Sequence, residues 1–190
     1  AAAVERQRRL VEQMFDAARI VTGRIQLDVT PVNAAALLRR LTARFNAGAA
    51  AKSIMLDVTP VALDVTVLAE PMRIEQTLAT LIDNAIANTP AGGRLVLSAQ
   101  ERGASIDIDV TDSGAGFAAG ALAWLLAPDG QSDPSGPRGY GSFALGLTIA
   151  KALTALQGGA LAATSRGPGQ GACFVLRLPR AVPGVPGVQA

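Results

Sequence analysis

Two short segments of this 190-residue chain carry the side chains best suited to chemistry. Residues 81–90 place Asn84 and Asn88 one helical turn apart and end in Thr-Pro. Residues 112–117 begin with Asp112 and continue with Gly114 and Gly116. An amide and a carboxylate offer directed hydrogen bonds, and glycines let the backbone pass close to a flat ring or to phosphates. Together the two segments predict a nucleotide pocket.

The composition excludes several other kinds of site. The chain has no histidine, which excludes Ser-His-Asp catalysis, histidine general bases and the usual zinc sites within it. Its single cysteine, Cys173, lies in an alternating apolar run, which predicts a small core residue. One cysteine cannot form a disulfide within the chain, which fits a reducing compartment. The net charge is only +2 and the basic residues are scattered, so no nucleic-acid partner is expected.

The termini and the apolar runs bear on location. No apolar run approaches the roughly 20 residues that cross a bilayer. The first twenty residues are rich in charge and do not resemble a secretory signal. We therefore expect a cytoplasmic segment without membrane contact of its own. Whether the parent protein is anchored in a membrane is left open.

The N-terminal half alternates helical and strand patterns. Apolar positions at helical spacing predict a helix over residues 4–22 that Gly23 ends, and residues 25–30 alternate as a strand does. Asn33 is placed to cap a helix over residues 34–51. Two further strands are predicted at residues 54–58 and 65–68.

Glu70 and Pro71 are predicted to open a helix that reaches Asn88. A helical wheel places its apolar residues on one face, which we expect to pack in the core. They are Ile74, Leu78, Leu81, Ile82, Ala85 and Ile86. The opposite face is polar and is predicted to line a cleft or to face solvent. It comprises Arg73, Gln76, Thr77, Thr80, Asp83, Asn84, Ala87 and Asn88.

The second half contains the remaining strands. Residues 94–100 and 105–110 form a predicted hairpin, and Asp112 follows directly after its second strand. Two helices, a loop, two strands and a tail are predicted after this hairpin. They are a short helix at 118–127, a lid loop at 128–141, a helix at 145–157, strands at 160–165 and 172–178, and a disordered tail from 182.

From about residue 31 to residue 179 the chain resembles the catalytic, ATP-binding domain of sensor histidine kinases. The matching order is an asparagine helix ending in Thr-Pro, a hairpin, Asp-x-Gly-x-Gly, a loop, a Leu-Gly-Leu helix and Gly-x-Gly before a last strand. The fold is shared with gyrase, the Hsp90 chaperones and MutL.

This resemblance implies a fold class and a division of the chain. The fold is the α/β (α+β) Bergerat fold, a two-layer sandwich of a mixed, mainly antiparallel sheet and about three helices, preceded by an N-terminal helix. Residues 1–24 would end a dimerisation helix, 25–180 would form the catalytic domain, and 181–190 would be a flexible tail.

The resemblance also implies roles for single residues. Asp112 would accept a hydrogen bond from the adenine amino group, and Asn84 would bind Mg²⁺ through its amide oxygen. The other expected nucleotide contacts come from both ends of the domain. They are Gly114 and Gly116 near the base, Asn88, Leu145, Gly146 and Leu147 on the phosphate side, Gly171 with Gly169 on the far wall, and Arg138.

Several positions depart from the family's pattern. Thr80 stands where such kinases usually have another asparagine, Ala87 where a basic residue is common, and Asn88 where an aromatic or histidine is common. Thr80 is also where gyrase-like members carry a glutamate that activates water, and threonine cannot act as a base near neutral pH. We take Asn84 and Thr80 as the catalytic positions.

The second glycine box is altered as well. Ser142 and Ala144 replace two of its three glycines, and their side chains could obstruct a phosphate. The basic residues that could compensate are Arg138, which we favour, Arg73 and Lys151.

Two hypotheses remain open. In the first, the chain is a kinase domain that uses ATP and Mg²⁺ to phosphorylate an acceptor outside this chain, and a response regulator or phosphotransfer protein receives the group. The parent protein would dimerise through the N-terminal helix. In the second, the chain is a degenerate kinase domain that regulates partners by binding, with weak or no ATP turnover. Asp112, Asn84, Gly114 and Gly116 favour the first, and Thr80, Ala87 and the altered glycine box favour the second.

Overall fold

A computed structural model describes residues 15, 16, 18–20, 22, 23, 25–62, 64–118 and 141–181, with the backbone alone for 141–144. It contains seven strands and three long helices within these ranges. In chain order they are β1 (Thr30–Asn33), α1 (Ala34–Ala51), β2 (Met55–Val58), β3 (Thr66–Ala69), α2 (Pro71–Asn88), β4 (Arg94–Arg102), β5 (Ser105–Asp112), α3 (Gly141–Leu156), β6 (Ala160–Thr164) and β7 (Ala172–Pro179).

Five strands form the main sheet, in the order β2-β4-β5-β7-β6. Strand β2 runs parallel to β4, and the other three pairs are antiparallel. Strands β1 and β3 form a separate antiparallel ribbon, which an isolated bridge between Val67 and Arg180 joins to the residue that follows β7. The predicted mixed, mainly antiparallel sheet is confirmed, and the ribbon is an addition that the sequence did not suggest.

The three helices cover one face of the sheet. The alternating residues of the strands that point to this face are buried, among them Leu95, Leu97, Ile106, Ile108 and Val110. They meet the apolar stripes of α1 and α2 in one core. On the other face, Arg177 of β7 forms two hydrogen bonds of 2.6 and 2.7 Å with Asp107 of β5. The molecule is therefore the two-layer sandwich that we expected.

Local capping explains the predicted helix starts. The Asn33 side chain accepts a hydrogen bond of 2.8 Å from the Ala36 N–H, which confirms it as the N-cap of α1. Glu70 caps α2 by accepting from the N–H groups of Met72 and Arg73, and Pro71 is its first residue. Both helices have the bounds that the sequence predicted.

Three predictions about the chain up to the end of β5 are wrong. Residues 25–29 are not a strand, because pairing begins at Thr30, opposite Ala69 of β3. Strand β5 extends through Asp112, which pairs with Ala172 and is therefore inside the strand. Thr77, assigned to the polar face of α2, is 1% exposed, and its hydroxyl has no hydrogen-bond partner.

The predicted N-terminal helix is seen in part. Phe15, Asp16 and residues 18–20 are helical, and Gly23 follows with a φ of 63°. Residues 119–140 and 182–190, which carry most of the predicted short helix, the lid and the tail, lie outside the described residues. None of the helices in the described part of the chain is long and apolar enough to span a bilayer.

Candidate functional site

A pocket lies where the last turns of α2 face the adjoining ends of β5 and β7. It brings together four of the residues that the sequence predicted as ligands: Asn84, Asn88, Asp112 and Gly116. The rest of its lining is small or aromatic. These residues are Ala85, Ala115, Phe117, Ala172 and Phe174.

Asp112 is the buried acid of this pocket. It is 8% exposed, and its Oδ1 accepts a hydrogen bond of 2.8 Å from the Gly114 N–H. Burial raises the pKa of the carboxyl, and the backbone N–H groups of Gly114 and Ala172 offset part of that rise. No basic side chain in the described part of the chain forms an ion pair with it. The carboxylate is thus placed to accept hydrogen bonds from a ligand.

The two asparagines of α2 differ in what their side chains do. The amide nitrogen of Asn84 is buried and has no hydrogen-bond partner within the protein. The side chain of Asn88, one turn later, is exposed and donates to the Asn84 carbonyl at 2.8 Å. Because a buried polar group without a partner costs stability, the NH₂ group of Asn84 points to a hydrogen-bond acceptor on a ligand or a water molecule in this pocket.

The glycines around Asp112 are explained by contacts within the chain. A β-carbon on Gly114 would overlap the Asn88 carbonyl, and one on Gly116 would overlap the Gly167 carbonyl. A β-carbon on Gly171 would overlap the carbonyl of Asp112 itself, and Gly171 also has a φ of 69°. Each glycine therefore allows two stretches of backbone to touch.

One wall of the pocket is aromatic. The rings of Phe117 and Phe174 meet edge to face, with centroids 5.8 Å apart and an angle of 88° between their planes. Such a wall suits a flat, largely apolar ligand group. Sequence reasoning gave Phe174 no part in the site, and the available signal was its position two residues beyond Ala172 on the core face of β7.

The end of α2 is fixed by a lysine that the sequence reasoning also missed. Lys52, the C-cap of α1, donates to the carbonyls of Ile86, Ala87 and Thr89 at 2.7, 3.1 and 3.2 Å. A cation at a helix C-terminus satisfies its free carbonyls and its dipole. The contact holds the turn that carries Asn88.

Other predicted residues are not in the pocket lining. Thr80 donates its hydroxyl to the Gln76 carbonyl at 3.0 Å. Gly171 touches the Asp112 backbone without lining the pocket, and Arg138 lies outside the described residues.

The predicted start of the helix that carries Leu145, Gly146 and Leu147 is wrong. Helix α3 begins at Gly141, four residues before the predicted start, so the N–H groups of these three residues are inside the helix. The Leu147 side chain is fully buried in the core. The free N–H groups of α3 belong to its first turn, at Gly141.

Arg73, one of the possible compensating cations, is already engaged. Its Nη1 contacts both carboxylate oxygens of Asp16 at 2.8 Å and the Gln76 Oε1 at 2.8 Å. The Gln76 Nε2 also donates to Asp16 at 2.6 Å. We call this set the Asp16 cluster; it joins the N-terminal helical segment to the start of α2.

A helix-on-sheet sandwich with a buried carboxylate, an unpaired asparagine amide and an aromatic wall defines an ATP-binding domain of the histidine kinase type. The chain belongs to the family described as histidine kinase-, DNA gyrase B- and HSP90-like ATPase, which matches residues 69–182.

Individual relatives agree. The chain is 31% identical to the sensor protein DivL of Caulobacter vibrioides over 178 residues, which cover 94% of this chain and 22% of DivL. It is 37% identical to the sensor protein CreC of Escherichia coli over 145 residues, or 76% of this chain and 29% of CreC. The structure of full-length ShkA in complex with AMPPNP matches with a TM-score of 0.75 and 30% identity, covering 90% of this chain and 35% of ShkA.

These comparisons support the first hypothesis. The chain is a histidine kinase ATP-binding domain, and the comparisons give no support to a degenerate module. It spans about a fifth to a third of the length of the relatives named here. What the whole parent protein does is therefore a matter for proposal.

Two glycines of the turn before β7 provide a matched test of the close contact at Asp112. Gly171 and Gly169 have similar φ values, 69° and 75°, but a β-carbon on Gly169 would meet no atom within 4 Å. Gly169→Ala should cost about 1 kcal/mol of unfolding free energy from backbone strain alone. Gly171→Ala should cost at least about 2 kcal/mol more and abolish binding of an ATP analogue. Denaturant unfolding and calorimetric titration measure both, and equal costs for the two variants would refute the close contact.

The burial of Asp112 predicts a pH dependence of stability. Because folding raises the pKa of this carboxyl above its ordinary value of 3.8, the folded state holds the proton more tightly than the unfolded chain. Its contribution is therefore present at acid pH and lost as the pH rises through the folded pKa. Asp112→Asn keeps an oxygen that accepts from the Gly114 N–H, and its side chain does not titrate. The variant therefore does not lose stability at this position as the pH rises. The unfolding free energy of the variant, relative to wild type, should rise from pH 3.8 to neutral pH.

Denaturant unfolding at several pH values tests this prediction, with Asp64→Asn as the control for removal of an exposed charge. A relative stability of Asp112→Asn that is flat or falls with pH would contradict it.

Proposed function

We propose that this chain is the catalytic domain of a two-component sensor histidine kinase that transfers the γ-phosphoryl group of ATP to an acceptor residue outside the chain. The observation that carries the proposal is the pocket that joins the buried Asp112 carboxylate to the unpaired amide of Asn84. In the reaction, the bond from the γ-phosphorus to the bridging oxygen breaks, a bond to the acceptor forms, and ADP leaves.

The two ends of the pocket suit the two ends of the nucleotide. Asp112 accepts from the adenine amino group, and Gly114 and Gly116 bring the loop backbone close to the base beside the Phe117–Phe174 wall. Asn84 and Asn88 lie toward the phosphates on α2. Gly171 supports Asp112 through its backbone contact.

A magnesium ion fits this donor set when nucleotide is present. The described residues contain no group of three carboxylate or cysteine side chains that could hold a metal ion. Mg²⁺ commonly takes one or two protein oxygens and completes its shell with phosphate and water oxygens. Asn84 would supply the protein oxygen, and the ion would neutralise charge on the phosphates.

The remaining phosphate contacts come from the segment before and at the start of α3. We assign the free N–H groups of its first turn to phosphate, and Leu145, Gly146 and Leu147, which follow that turn, stay proposed contacts. Arg138 stays our candidate for the missing basic residue at Ala87. Thr80, whose hydroxyl donates to the Gln76 carbonyl within α2, stays with Asn84 a proposed catalytic position, and it cannot activate water as a glutamate at this position would.

The parent protein supplies what this chain lacks. With no histidine here, the phosphoacceptor lies elsewhere, and a response regulator or phosphotransfer protein receives the group from it. We propose that residues 1–24 end a dimerisation helix, that 25–180 form the catalytic domain, and that 181–190 are a tail. A cytoplasmic location follows from the need for ATP.

Nucleotide binding tests the adenine role of Asp112. In calorimetric titrations with AMPPNP and Mg²⁺, Asp112→Asn should weaken binding about tenfold or more, since an amide can present a donor where the adenine amino group needs an acceptor. Asp109→Asn is the matched control, because Asp109 lies in the same strand on the other sheet face and bonds Ser98. No heat from the folded wild-type chain at millimolar nucleotide would end the proposal of ATP binding.

Phosphoryl transfer tests the role of Asn84. The chain alone should acquire no stable label from γ-labelled ATP, whereas an acceptor fragment of the parent protein should be labelled in its presence. Asn84→Ala should slow this labelling by about 100-fold or more. Asn88→Ala, one turn away on an exposed side chain, should slow it less than about tenfold. Stable label on the chain itself, or equal rates for both variants, would contradict the assignment.

A further inference from the structure

Ser165, just after the end of β6, has a hydroxyl whose hydrogen-bonding capacity is fully used. It accepts from the N–H of Phe117 at 3.0 Å and from the N–H of Gly167 at 3.2 Å. It donates to the carbonyl of Gly171 at 2.6 Å, a shorter contact than the 3.2 Å to the Gly167 carbonyl. A hydroxyl has one donor and two acceptor positions, so these three bonds complete its set.

These bonds connect the turn at residues 166–171, which we call the glycine turn, to the loop that carries the nucleotide motif. The turn also donates from Gly169 to the Ala115 carbonyl at 2.6 Å and from Gly171 to the Gly114 carbonyl at 3.0 Å. Ser165 is the side chain that extends this contact to Phe117. A β-carbon on Gly116 would come within 2.8 Å of the Ser165 hydroxyl, so the hydroxyl also lies against that glycine.

The bonded residue Phe117 belongs to the part of the loop that lines the pocket. It is 8% exposed, it lines the pocket, and its ring meets Phe174. Ser165 itself does not line the pocket. Any effect of Ser165 on a ligand must therefore act through its neighbours. These are Phe117 and Gly116 in the loop, and Gly171, which touches the Asp112 backbone.

We propose that Ser165 is a positioning residue for the base side of the nucleotide pocket. Its hydroxyl fixes the backbone of Phe117 and so sets the ring against which adenine packs. This inference rests on the proposed ATP-binding function. It assigns to the turn before β7 a part in base recognition that acts through one hydroxyl, in addition to the backbone contact of Gly171.

Ligands that occupy only one end of the pocket distinguish a positioning role of Ser165 from a general role in stability. A positioning role affects only ligands that contain the base, whereas a general loss of stability affects all of them. Adenosine, AMPPNP and inorganic tripolyphosphate, the latter two with Mg²⁺, are titrated into wild type and variants that circular dichroism shows to be folded. Ser165→Ala should weaken the binding of adenosine and of AMPPNP by the same factor, about tenfold, because the Phe117 N–H loses its hydrogen bond to Ser165. Its affinity for tripolyphosphate should equal that of wild type.

Two further variants complete the design. Ser165→Thr keeps the hydroxyl and should restore the adenosine affinity, and Thr164→Ala, an exposed neighbour on β6, should bind like wild type. In a double-mutant cycle, Ser165→Ala combined with Phe117→Leu should lose little more adenosine affinity than Phe117→Leu alone. If Ser165→Ala does not fold, Phe117→Leu and Ser165→Thr still test the inference: Phe117→Leu should weaken binding of adenosine and not of tripolyphosphate, and Ser165→Thr should bind both like wild type.

The contrary outcomes are distinct. Unchanged adenosine affinity in Ser165→Ala, equal losses for all three ligands, or failure of Ser165→Thr to restore binding would overturn the positioning role while leaving ATP binding in place. A wild-type chain that binds none of the three ligands would overturn the proposed function, and the role of Ser165 with it.

Discussion

Three stretches of backbone meet at the pocket with no side chain between them, and the geometry of the site depends on this contact. The loop after Asp112 passes between the end of α2 and the glycine turn. Its Ala115 N–H bonds the Asn88 carbonyl at 3.0 Å, and its carbonyls accept from Gly169 and Gly171. Because glycine stands wherever a β-carbon would intrude, the relative positions of Asp112 and α2 are set by main-chain atoms. The placement of Asp112 against α2 is therefore a property of the backbone fold.

Two aspartates of β5 show how the sheet faces divide their tasks. Asp107 points to the outer face, where its hydrogen bonds with Arg177 lower the pKa of its carboxyl despite burial. Asp112 points to the helix side, where burial without a cation raises its pKa. The first arrangement stabilises the charged form in the folded chain. The second arrangement leaves the Asp112 carboxylate as an acceptor for a ligand. Its burial lowers the stability of the folded chain at neutral pH, as is common for titratable groups in functional sites.

The sequence predicted what local chemistry controls. Asn33, Glu70 and Pro71 act on backbone groups within three residues, and the bounds of α1 and α2 followed from them. Features that depend on contacts between residues far apart in the chain could not be predicted from the sequence. Residues 25–29 alternate like a strand but have no strand to pair with.

The site divides in the same way. Asn84, Asn88, Asp112 and Gly116 belong to two local motifs, and the structure brings them together. Lys52, Phe174 and Ser165 contribute through contacts with residues 34 or more positions away in the chain. No local pattern distinguishes them from ordinary cap, core and turn residues.

The Asp16 cluster makes the start of α2 sensitive to rotation. Asp16 is one residue on one side of the N-terminal helical segment, and neighbouring residues of a helix point about 100° apart. Turning that segment by one residue would carry the carboxylate away from Arg73 and Gln76 together, so the contact is either made or lost. Asn84 lies eleven residues further along the same helix, about 16 Å away. A rotation of the N-terminal segment would therefore change the contacts at the start of the same helix that carries Asn84 near its end.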